Sequence, residues 1–142
     1  MMNEFEAFQI AIYIDTIYVI LKKSRDMSVI KLAFFSYAIN KNRYFEKEVY
    51  NARHKRDVVT KEISTICGDF DGFVNAMPYI LKSIDILNKR EIIDVSDNIV
   101  HLKDDTYKAV YCNTLSNFEK NAIKSSVSWS DRRFIQEVLH SV

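Results

Sequence analysis

Apolar residues recur at spacings of three and four along most of the chain, and in one place the spacing drops to two. Over 78–88, Ile80, Leu81, Ile84 and Leu87 mark one face of a helix. Directly after it, Ile93 and Val95 alternate with Asp94 and Ser96, and Ile99 and Leu102 continue the pattern on a return strand. Ser96-Asp97-Asn98 lies between them, residues that bond their own backbone and tolerate turn dihedrals. A helix running into a short hairpin over 91–103 is the ending of a winged-helix unit, with Ile92 expected to point away from the core.

Upstream, Asn3 caps a helix and Glu6 stands three residues later at capping-box spacing. Phe5, Phe8, Ile12 and Val19 lie near one face of that helix, while Ile10, Ile14, Ile17 and Leu21 cover an adjoining one. A helix apolar on most sides is either central to the core or partly covered by a partner. The apolar run from Phe5 to Leu21 spans 17 residues and is interrupted by Glu6, Gln9, Asp15 and Thr16, which favours a buried helix over a membrane span. Lys22, Lys23 and Arg25 place positive charge at its C-terminus, where the macrodipole favours it.

A second helix is expected from Asp26 or Ser28 to about Ile39, with Ile30, Ala33, Phe34 and Tyr37 on its stripe. A third is expected over 55–67, with Val59, Ile63 and Ile66 inward and Gly68 as its cap. Asp71 is placed to cap the helix that follows, and Pro78 is expected in the first turn of a new helix. After the hairpin, Asp104-Asp105 suit the start of a helix over 106–123 carrying Val110, Leu115, Phe118 and Ile123. Ser130-Asp131 caps a last short helix with Phe134, Ile135, Val138 and Leu139. The fold expected is a single, mainly α domain over 1–142. It has a helical part over 3–67, a winged-helix-like part over 72–105 and C-terminal helices over 106–140.

Composition supports long regular elements: the chain has only two Gly and one Pro in 142 residues, and 48% of its residues are hydrophobic. Cys67 and Cys112 are too few for a disulfide scaffold and are not spaced as a metal knuckle. With no signal peptide visible, a reducing cytoplasmic setting is expected. Net charge is +1, but unevenly spread. Residues 41–56 hold six Lys/Arg against two Glu, and residues 57–116 hold six against ten Asp/Glu. The basic segment interleaves Tyr44, Phe45 and Tyr50 with its charges, either as a patch following a phosphate backbone or as a solvated helix and loop. Lys41, Arg43, Arg53, Lys55 and Arg56 are its candidate contacts to nucleic acid or a partner.

Catalytic groupings do not emerge. Two glycines cannot build a phosphate-cradling loop. His54, His101 and His140 stand at no ligand spacing, and Asp69-Phe70-Asp71-Gly72 lacks the ladder of a calcium loop. No catalytic, metal or cofactor residues are assigned, and no enzymatic activity is expected.

The order of elements resembles the short middle components of bacterial three-component ABC systems, among them the small subunit of Lamassu-type anti-phage complexes. The resemblance is carried by the opening Asn3–Phe8 helix, the apolar Ile30–Ile39 helix with its basic continuation, the Phe73…Met77-Pro78…Leu81 approach and the Ile92–Leu102 hairpin. The C-terminal part differs: such components tend to close on an aromatic segment and a Gly-Val-Arg-Pro-like end, where this chain has Ser128-Trp129-Ser130 and His140-Ser141-Val142. The resemblance implies a non-enzymatic adaptor joining an SMC-like ABC ATPase to an effector such as a nuclease. It would act against phage or plasmids and meet DNA through the complex, without a membrane or a small-molecule substrate. A winged-helix DNA-binding transcriptional regulator is the alternative. Against it, Glu91, Asp94, Asp97, Asp104 and Asp105 make the wing acidic, and Lys82, Lys89 and Arg90 only partly offset them.

Overall fold

A computed structural model describes residues 3–44, 70–111 and 114–141. In chain order these form α1 (Glu4–Ser24), β1 (Asp26–Ser28), α2 (Val29–Tyr44), α3 (Phe70–Lys89), β2 (Ile93–Ser96), β3 (Ile99–Leu102), α4 (Asn117–Ser126) and α5 (Asp131–Ser141). The protein is mainly helical with a three-stranded antiparallel sheet in the order β1-β3-β2. Helix α3 followed directly by the β2–β3 hairpin is the winged-helix-like part expected over 72–105, and β1 joins the hairpin as its third strand. The helix expected over 55–67 lies outside the described residues.

The capping box of α1 forms as its spacing predicts: Asn3 Oδ1 accepts from Glu6 N at 2.9 Å, and Asn3 N donates back to Glu6 Oε2 at 3.3 Å. From Ile10 onward the helix is central, with Ile17, Ile20 and Leu21 fully buried. It packs most extensively on α3. There Ser83 is small enough to bring the two backbones close, and its hydroxyl reaches the carbonyls of Tyr79 (2.7 Å) and Ile10 (3.2 Å). On the other side, Phe34, Phe35 and Tyr37 of α2 join Phe73, Trp129 and Phe134 in an aromatic cluster that docks α5.

Several expectations are corrected. Asp26–Ser28 is a strand, because Met27 pairs with Val100 and buries its side chain, and α2 begins only at Val29 and runs on to Tyr44. Pro78 lies inside the continuous α3, and Asp71 sits in its first turn. Proline removes one backbone donor, but Phe73, Ala76, Ile80, Ile84 and Leu87 form one buried stripe on both sides of it, and packing holds the helix together. Leu81, expected on that stripe, faces outward.

Ile92 is buried, and the helix end is the reason. Glu91 takes a left-handed φ of 61°, Ile92 N donates to Leu87 O at 3.0 Å, and Glu91 N donates to Asn88 O at 3.1 Å. This pair of bonds is a Schellman cap, which folds the residue after it back onto the helix core. The hairpin turn is the two residues Asp97-Asn98, both at positive φ, the geometry whose twist matches antiparallel strands. Register sets Ile93 opposite Leu102 and Val95 opposite Val100, so Val100 rather than Ile99 fills the core and Val95 is partly exposed.

The helix expected over 106–123 starts only at Asn117, with Ser116 and Glu119 forming its capping box. The stretch before it is held instead by a buried carboxylate. Asp15 of α1 accepts from the Tyr107 hydroxyl (2.6 Å), Val110 N (2.8 Å) and Tyr111 N (2.6 Å). Those bonds satisfy backbone groups that a helix would otherwise have paired.

Candidate functional site

The outer face of α3 continues into the hairpin that follows it. On α3 that face carries Val74 (49% exposed), Pro78 and Leu81 (47% exposed) at spacings of four and three, an apolar stripe. Its cations are engaged within the helix: Asp85 receives Lys89 at 2.9 Å and Lys82 at 3.9 Å. The hydrogen bond from Lys89 holds the Asp85 carboxyl below its usual range. The hairpin end adds Glu91, Asp94, Asp97, Asp104 and Asp105, all exposed, against Arg90 and Lys103. A phosphate backbone approaching this face would meet apolar side chains, lysines already paired and a fringe of carboxylates.

Beside it, the N-terminal turns of α1 leave α2 and α3 to form an aromatic groove of about 610 Å³. Phe5 (65% exposed) and Phe8 (47% exposed) stand on one wall, Tyr37 and Tyr79 on the others, and Tyr13 lines it too. Burial pushes the Tyr13 phenol up to about 12. Phe8 also meets Tyr111 edge-to-face, with ring centroids 5.4 Å apart. Groove and stripe are both built for apolar contact.

Of the basic residues named from sequence, Lys41 lies half-buried on the rim of this groove. Arg43 is in the last turn of α2, while Arg53, Lys55 and Arg56 lie outside the described residues, as do His54, Cys67 and Cys112. Lys41 is the candidate that the described residues place at the groove. The residues that sequence reasoning missed are Val74 and Leu81. Their signal was legible in principle, since Ile80, Ser83, Ile84 and Leu87 already complete a face and leave Leu81 about 100° away from Ile80.

Among the described residues no group of three or more His, Cys, Asp or Glu is placed to hold a metal, and no helix is long and apolar enough to cross a membrane. No protein family, characterised protein or solved structure matches the chain.

Proposed function

We propose that this chain is a non-enzymatic interaction subunit. It docks protein partners through the outer face of α3 and the neighbouring aromatic groove. The observation that carries this reading is the Val74–Pro78–Leu81 stripe, flanked by internally paired lysines and an acidic hairpin. Exposed apolar surface of this kind, rimmed by polar groups, is what protein interfaces bury. The order of elements, which resembles the middle component of three-component ABC systems, gives the reading its setting. In it the chain bridges an SMC-like ABC ATPase and an effector of an anti-phage or anti-plasmid complex in the cytoplasm, and meets DNA through that complex.

The test is recovery of the tagged chain from its native operon, with mass spectrometry of what accompanies it. A coiled-coil ATPase and an effector in fixed ratio, both lost with Leu81→Asp, is the expected result. The chain recovered alone would overturn it.

A second reading, a winged-helix transcriptional regulator, is favoured by the topology, because α3 precedes the hairpin as a recognition helix does. Its signature is salt-dependent duplex binding that Lys82→Glu weakens.

A further inference from the structure

At the end of α1 opposite the aromatic groove lies a second cleft, of about 580 Å³. Four lysines line it: Lys22 and Lys23 from the last turn of α1, Lys108 from the linker and Lys120 from α4. Among the described residues no carboxylate contributes to its wall and none of the four lysines has an acidic partner. Four exposed lysines around one concavity, in a chain of net charge +1, concentrate positive potential there and favour an anion.

Two features separate this cluster from ordinary solvated lysines. Lys120 sits in the opening turns of α4, where the helix macrodipole disfavours a cation, so helix stability does not account for it. Tyr18, in the wall of the cleft, is 2% exposed and its hydroxyl is buried without a hydrogen-bond partner. A buried hydroxyl left unpaired is costly in a folded protein, so the wall of the cleft carries an unmet polar group. The two acids whose charges reach the Tyr18 phenol have other partners: Asp104 accepts from Thr106, and Asp105 pairs with Arg25 at 3.7 Å. The remaining wall is Thr114 with Val19, Ala109 and Leu115 beside the Tyr18 and Tyr107 rings, which meet edge-to-face at 5.0 Å.

We infer that this cleft binds a small polyphosphate ligand of nucleotide size, its phosphates held by Lys22, Lys23, Lys108 and Lys120 and its organic body against the tyrosine-lined wall. The volume falls in the range of small-molecule sites, and the charge of the four lysines balances a triphosphate. Side chains do here what a glycine-rich loop does with backbone amides, which the two glycines of this chain cannot supply. The site is independent of the docking face on α3.

The experiment is calorimetric titration of the full chain, at an ionic strength of about 0.15 M, with magnesium-free ATP, inorganic tripolyphosphate and adenosine. Saturable one-to-one binding of ATP is expected, with tripolyphosphate competing and adenosine not competing. Lys108→Glu/Lys120→Glu should weaken ATP by about tenfold or more while the thermal midpoint of the free protein holds. Lys108→Arg/Lys120→Arg should keep it. If the charge-reversed chain fails to fold, Lys120→Gln with a several-fold loss serves instead. Absence of saturable ATP binding, equal binding by the charge-reversed variant, adenosine competing as well as ATP, or binding of duplex DNA in place of ATP would each overturn the inference.

Discussion

The two ends of α1 present opposite chemistry to solvent. Its first two turns carry Phe5 and Phe8 outward over an aromatic groove, and its last turn carries Lys22 and Lys23 into a cationic cleft. Between them the helix is mostly buried, and Asp15 on that stretch anchors the linker that reaches both ends. Tyr111 meets Phe8 at the groove, and Lys108 lines the cleft. One helix thus supports two surfaces of different chemistry, and their partners need not compete.

The strongest way to break this arrangement is to remove the anchor. Asp15→Ala leaves two backbone N–H groups and the Tyr107 hydroxyl without their acceptor, and should cost about 3 kcal/mol. Thermal denaturation would register that as a fall of about 10 °C. Because Lys108 is carried by the same linker, polyphosphate binding should weaken in the folded fraction although no lysine has changed. An unaltered thermal midpoint would mean that the linker is held by something other than Asp15.

Substitutions on the docking face should separate binding from folding. Val74→Asp and Leu81→Asp place charge where the side chains already meet solvent, so the thermal midpoint should move by no more than about 2 °C. Partner recovery should nevertheless fall by about tenfold or more. Intact recovery with both changes would remove α3 from the interface and leave the aromatic groove to carry it.

Alkaline titration compares the two ends directly. Burial raises Tyr13, at the groove, from the ordinary 10.0 to about 12. Burial likewise raises Tyr18, at the cleft, with Asp105 and Asp104 adding to it, and raises Tyr107, with its bond to Asp15 adding to that. A raised folded-state value favours the protonated phenol in the native protein. The stability it contributes is therefore intact below pH 10 and is lost as pH climbs through the folded-state values. Ultraviolet titration should show these phenols ionising late and together with unfolding. Early ionisation of Tyr13, Tyr18 and Tyr107 would contradict the burial at both ends.

The smallest effect is expected at the helix cap. Glu91 occupies a left-handed position that suits glycine, so Glu91→Gly should raise stability by about 0.5–1 kcal/mol in chemical denaturation. A loss would show that the Glu91 side chain makes a compensating contact.

Local features carry much of the legible part of this fold. The Asn3/Glu6 capping box, the Ser130 cap, the helix leading into a hairpin and the turn at Asp97-Asn98 all depend on neighbours in sequence. The aromatic stripe of α2 was visible from its spacing for the same reason. The strand at Asp26–Ser28 was not, because three residues are too short to show a period and only pairing with His101, Val100 and Ile99 defines it. The lysine cleft was invisible likewise: Lys22 and Lys23 read as helix-end charges, and Lys108 and Lys120 lie some ninety residues further on.

By itself, the sequence determined the first helix, the helix leading into the hairpin and the last helix, and where several elements begin, since capping, turn chemistry and hydrophobic period act over only a few residues. Tertiary structure alone decided that Pro78 stays inside one helix, that Ile92 turns inward while Leu81 turns out, and that four distant lysines share a cleft. Each of those outcomes depends on burial against elements remote in the chain, and the free energy of that packing outweighs the local preferences it overrides.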